Sequence, residues 1–114
     1  LSQNRVTLES AKVNLLNTNH EVLNAPNKIT EADFDGWVQE RGLYFPDVWD
    51  AHFETILGMN DPDEPEIKSS LLVAKYQKGY FIYTGLSFFR ELPAGVPGAF
   101  KLFVNLISIG KNNK

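Results

Sequence analysis

The chain contains no cysteine, two histidines and one methionine. Without thiols there are no disulfide frameworks, no thiolate zinc sites and no cysteine nucleophiles. With only His20 and His52, a transition-metal site has few ligands to draw on, and no cofactor is expected. Lys and Arg form no run, and the net charge is −3. A nucleic-acid surface needs a basic stripe to offset phosphate charge, so nucleic acid is not an expected partner. No apolar run approaches the ~20 residues that cross a bilayer, and the N-terminus lacks the order of a signal peptide. A membrane is therefore not an expected partner either. Localisation stays open, because a cysteine-free domain works in either redox environment.

What is present has the balance of a globular domain: 43% hydrophobic and 22% charged residues. A chain of this length buries roughly 65% of its unfolded surface, enough for a core without a staple. One domain over residues 1–114 is expected. The chain starts at Leu1 rather than Met, which fits a C-terminal piece of a longer protein.

Residues 12–16 read as a short extended run. Thr30 and Asp33 have the spacing of a capping box, Ile29 and Phe34 that of a hydrophobic staple, and Gly42 that of a C-terminal cap. These signals predict a helix over roughly residues 31–40. Leu43-Tyr44-Phe45 reads as a brief strand, and Phe53 to Met59 as a longer one with Phe53, Thr55, Leu57 and Met59 on one side. Two prolines make 60–66 a polar loop. The runs 71–76 and 80–84 predict a hairpin, with Gly79 supplying a positive φ and the second strand buried on both faces. Pro97 and Gly110 bracket a last helix. Its apolar positions form two stripes: Phe100, Phe103, Val104 and Ile107, then Leu102, Leu106 and Ile109. So wide an arc implies deep burial or a face for a partner, a second copy included. The order of elements predicts an α/β fold, a mixed β-sheet flanked by helices.

The loop 85–98 is the first place to look for chemistry, because it joins a strand end to a helix N-terminus. Ser87, Arg90, Gly95 and Gly98 are its candidate ligand-binding residues. Arg90 can clamp a carboxylate or phosphate, and the glycines let backbone approach a ligand. Against this, Arg90 can equally pair with Glu91 or a carbonyl. Asp47, Asp50, His52 and Glu54 crowd one segment, but a solvated acidic loop reads better than a metal site. No nucleophile-elbow pattern surrounds Ser87, so no catalytic residue is assigned. Trp49 lies between acidic residues in an expected loop. It is the best candidate for an exposed ring that stacks on a carbohydrate, within an aromatic set that includes Trp37, Tyr44, Tyr83, Phe88 and Phe89.

Two stretches carry a family resemblance: ITEADFDGWVQERGLYFPDVWD, residues 29–50, and GYFIYTGLSFFRELPAGVPGAFKLFVNLIS, residues 79–108. Together they resemble the C-terminal region of bacterial proteins whose N-terminal part is a PIG-L/LmbE-type N-acetylglucosamine deacetylase. That region in turn is similar to half of a class I glutamine amidotransferase-like (ThuA-like) domain, a flavodoxin-like fold. The resemblance implies a non-catalytic accessory domain whose partner is the catalytic domain of the same parent chain. It also allows a hydrolase half-site completed by upstream residues. The His-Pro-Asp-Asp zinc motif of the deacetylases and the nucleophilic Cys of the amidotransferases do not occur here, so no catalytic or metal position carries over.

Overall fold

The computed structural model describes residues 4–110. Seven short strands and two α-helices follow one another: β1 (Asn4–Val6), β2 (Val13–Leu15), β3 (Gly42–Phe45), β4 (Glu54–Thr55), β5 (Leu57–Met59), β6 (Leu71–Tyr76), β7 (Gly79–Thr84), α1 (Phe88–Glu91) and α2 (Pro97–Ser108). Single 3-10 turns occupy Glu21–Leu23 and Glu31–Phe34. The α/β character expected from the sequence is present, but the strands form three small sheets: β1-β3, β2-β5 and β4-β6-β7. Every pairing between these strands is antiparallel. The parallel pairing of a flavodoxin-like sheet is not observed among the described residues. No helix among them is long and apolar enough to cross a membrane.

The hairpin of β6 and β7 is the longest regular pairing, with six residue pairs from Leu71↔Thr84 to Tyr76↔Gly79. Its two-residue loop takes positive φ at Gln77 (52°) rather than at Gly79. Nor is β7 covered on both faces. It is an edge strand on which residues alternate between exposed and half-buried, and Phe81 is 59% exposed. The apolar residues on both its faces reflect one face against the core and one bearing aromatic rings.

The stretch expected to be one strand from Phe53 divides at Ile56. β4 pairs with β6, whereas β5 pairs with β2. Ile56 links the two sheets: its N–H donates to Leu71 O (3.2 Å) and its carbonyl accepts from Leu16 N–H (2.9 Å). Past the division Ile56, Leu57, Gly58 and Met59 are all buried, so the expected alternation ends.

The helix expected over 31–40 stops after one 3-10 turn. The Asp33 carboxylate accepts the Thr30 N–H (2.8 Å), so the start signal works as read. Distant acceptors then hold two amides further on. Glu91 takes the Val38 N–H (2.7 Å), and Glu9 takes the Gln39 N–H (2.6 Å). The buried Arg41 guanidinium donates to the Phe34 and Ala11 carbonyls. With its amides satisfied elsewhere, the chain turns through Gly36 (φ +80°) and Gln39 (φ +66°) instead of coiling. Gly42 is not a helix cap. It lies in β3 against Gly85, where a side chain on either glycine would collide with the other strand.

α2 closes the core from one side. Leu102 and Leu106 are buried, and between them Asn105 reaches the 22–27 loop. Its amide donates to Val22 O (2.8 Å) and Asn27 O (2.7 Å), while its oxygen accepts the Asn27 N–H (2.9 Å). Gly98 packs on the backbone of Asp33, and Lys101 pairs with the Asp33 carboxylate at 3.3 Å.

Candidate functional site

The loop 85–98 is closed by its own packing. Ser87 is fully buried, its hydroxyl 2.8 Å from Glu40 O and 2.9 Å from the Glu91 carboxylate. Glu91, also fully buried, belongs to α1 and spends its other oxygen on Val38. Arg90 pairs with Glu40 (2.8 Å), not with Glu91, and its guanidinium lies over the Phe89 ring at 4.9 Å. Gly98 contacts protein backbone, so the approach it permits is α2 to the 31–34 turn rather than protein to ligand. Gly95 is exposed with φ +75°, the conformation the turn before α2 requires. Ser87 and Arg90 tie Glu40, Arg41 and Glu91 into a buried polar knot, while Gly95 and Gly98 shape the turn and the packing of α2.

That knot was invisible in the sequence. Glu40 and Arg41 read as the polar end of an expected helix. Only the i, i+4 spacing of Ser87 and Glu91 hinted at their contact. Burial lowers the Arg41 pKa, offset in part by the carboxylates of Asp35, Glu91 and Glu9. The guanidinium keeps hydrogen-bonded carbonyls on both sides, which is the arrangement a buried charge demands.

Trp49 stands elsewhere, on the wall of an open cleft of about 360 Å³. The cleft lies between the loop after β3 and residues 64–69. Pro46 and Pro65 stiffen its sides, and the Ser69 hydroxyl donates to Pro46 O (2.6 Å), tying the two sides together. Arg5, Glu64 and Lys68 also line it, and among the described residues the side chains of these three make no hydrogen bond or ion pair. Asp47 and Glu66 complete a lining with three carboxylates to two cations. An indole face beside free donors and acceptors can stack on a sugar ring and bind its hydroxyls. Sequence reading found the ring and its neighbour Asp47, but not the charges that β1 and the approach to β6 bring to the same cleft.

The acidic residues once grouped around His52 go separate ways. His52 Nδ1 lies 2.6 Å from Asp50, and hydrogen bonds from the His52 backbone and ring lower the Asp50 pKa. Glu54 instead faces His20 at 3.4 Å and accepts from Asn17. Asp61 leaves the acidic loop to accept the Thr7 N–H and hydroxyl (2.9 Å each) and the Leu8 N–H (2.7 Å). Partial burial pushes the Asp61 pKa up, but these bonds and nearby Arg5 outweigh it and leave it lowered. Among the described residues no three His, Asp or Glu side chains converge as a metal site would require.

Two exposed apolar surfaces complete the inventory. On α2, Phe100, Phe103, Val104 and Ile107 face solvent, Ile107 being 64% exposed. On the hairpin the exposed residues are Tyr76, Phe81 and Tyr83, with Tyr44 beside them. Of the other aromatics considered from the sequence, Trp37 is core, and Phe88 bridges Trp37 and Phe103 by ring contacts at 6.0 and 5.7 Å.

No protein family, curated protein or solved structure matches this chain.

Proposed function

We propose that the chain is a non-catalytic accessory domain that docks through α2 onto another protein surface. The resemblance read from the sequence nominates the catalytic domain of an LmbE-like deacetylase as that surface. One observation carries the reading. Residues 100, 103, 104 and 107 follow the i, i+3, i+4, i+7 spacing of one helix face, all are large and apolar, and all are exposed. The only charged residue of α2, Lys101, is drawn to Asp33 and away from that role. An uncharged apolar stripe is the expected centre of a protein interface, where removing the remaining exposed area of these side chains from water favours binding.

Sedimentation equilibrium of this chain, alone and mixed with an LmbE-type deacetylase domain, tests the reading. The mixture should form a complex that Ile107→Asp abolishes. Self-association sensitive to the same substitution would make a second copy the partner and the domain an oligomerisation module. An inert monomer in both samples would sink the docking reading.

A second reading, carbohydrate positioning, is favoured by the Trp49 cleft. Its excess of carboxylates over cations suits the ammonium of an amino sugar. Titration with glucosamine should quench Trp fluorescence, and Trp49→Ala should remove the response. An unchanged signal in the parent chain would dismiss this cleft. A hydrolase half-site would have to use groups other than Ser87, whose hydroxyl is closed off. The amidotransferase-like half-fold remains a sequence expectation on which neither reading depends.

A further inference from the structure

The hairpin face differs in chemistry from the α2 stripe. Register places Ala74 opposite Phe81 and Leu72 opposite Tyr83, so these residues share one side of the sheet. Phe81 and Tyr83, two residues apart on β7, project about 7 Å from one another along the strand. Tyr76 leans on Phe81 with ring centroids 5.9 Å apart. Ala74, a small residue on this side, borders a recess of about 330 Å³ lined by Phe53, Tyr76 and Phe81. Asp50, His52 and Lys75 form its rim. His52 Nδ1 is engaged by Asp50 at 2.6 Å, which leaves Nε2 as the ring nitrogen for any further hydrogen bond.

The row of rings is extended by Tyr44, and at a conformational cost. Tyr44 has φ +60°, a backbone state that bulky residues rarely adopt. The Tyr83 hydroxyl donates to Tyr44 O (3.0 Å), and the glycine contact of Gly42 with Gly85 brings β3 close enough for that bond. A strained aromatic residue is thus held beside β7 while its own ring stays 56% exposed.

We propose that this face binds an extended polysaccharide chain. Successive sugar rings stack on Tyr76, Phe81 and Tyr83, while Asp50, His52 and Lys75 bind hydroxyls. The composition separates this occupant from a protein. The exposed apolar groups here are aromatic and mostly tyrosine, set among charged hydrogen-bonding groups. Those on α2 are Phe, Val and Ile without a hydroxyl among them. Rings whose faces are apolar and whose edges are polar meet both needs of the hairpin face at once. A row of aromatics also favours a chain over a single sugar, which could cover only one ring. The proposal is independent of the Trp49 cleft and of docking by α2.

Calorimetry with the full chain tests it, using hexaoses of β-1,4-glucan, chitin and β-1,3-glucan beside their monosaccharides. At least one hexaose should bind at least about tenfold more tightly than its monosaccharide. Phe81→Ala and Tyr83→Ala should each weaken that binding by about tenfold, the loss of one stacked ring. Tyr83→Phe, which keeps the ring, should lose less, and Trp49→Ala should change nothing. Circular dichroism melts confirm that each exposed-site variant is folded. The proposal is overturned if no hexaose binds, or if binding ignores Phe81→Ala and Tyr83→Ala. Binding lost in Trp49→Ala alone would overturn it in favour of the other cleft. Self-association that Phe81→Ala abolishes, with no hexaose bound, would make the face a protein contact and overturn it equally.

Discussion

Replacing Asn105 by alanine tests whether a polar side chain holds α2 to the rest of the domain. The native amide satisfies two carbonyls, Val22 O and Asn27 O, and one N–H, that of Asn27. Asn105 itself is fully buried, so the variant leaves three backbone groups without their partner. Each such group costs roughly 1–3 kcal/mol when left unsatisfied. Water entering the vacated space recovers part of the loss, which brings the expected total to about 3 kcal/mol rather than the full sum. A domain of this size loses roughly 4 °C of Tm per kcal/mol, so the midpoint should fall by about 12 °C. Thermal and urea unfolding followed by circular dichroism measure both quantities. Asn105→Asp sharpens the test. It keeps the shape and the acceptor for Asn27 N–H, but it replaces the two-proton donor by a charge facing two carbonyls. At neutral pH it should therefore be less stable than the alanine variant, although it is closer to the native side chain in shape. A loss below about 1 kcal/mol for alanine, or aspartate outranking alanine, would refute the reasoning.

Two further outcomes follow from other contacts. Gly98→Ala should cost roughly 3 kcal/mol, because its Cβ would overlap the Asp33 carbonyl and both sides of the clash are backbone. Gly95→Ala meets no neighbour and should cost only the roughly 1–2 kcal/mol of a left-handed residue, so the reverse order in urea midpoints would contradict the packing. Asp61, whose folded pKa is lowered, contributes stability that is present above the ordinary carboxylate pKa and is lost as pH falls through the folded value. The stability gap between the parent chain and Asp61→Asn should accordingly shrink on acidification below the ordinary value. A gap unchanged down to the acid transition would rule that contribution out.

Local signals were legible where neighbours in the chain also settle the structure. The β-prone runs around Gln77 and Lys78 pair as read, and Pro97 opens a helix that Gly110 follows at φ +89°. The signals failed where a distant side chain competes with them. The Thr30–Asp33 start is real, yet the chain turns at Asp35 and Gly36, and Glu91 and Glu9 hold the Val38 and Gln39 amides outside any helix. Arg90 was visible as a clamp, but its partner Glu40 lies fifty residues away, so pairing turned a ligand candidate into part of the core boundary. Trp49 could be singled out because its acidic neighbours imply exposure. Arg5 and Lys68 could not, since only the folded chain brings them to the same cleft. Exposure itself was the hardest property to read. Phe81 and Ile107 carry the same hydrophobicity as core residues, and only the edge position of one and the outward helix face of the other distinguish them.

The double attachment of Ile56 has a consequence for how the domain opens. Its N–H is bound to the β6 side and its carbonyl to the β2 side, so fraying either sheet pulls on a residue that the other also holds. A two-stranded ribbon such as β2-β5 is marginal alone, so it depends on its tie to the three-stranded sheet. Joined through one buried residue, they are expected to exchange their amide hydrogens as a single unit, the Ile56 and Leu16 amides, one held on each side of the joint, becoming exposed together.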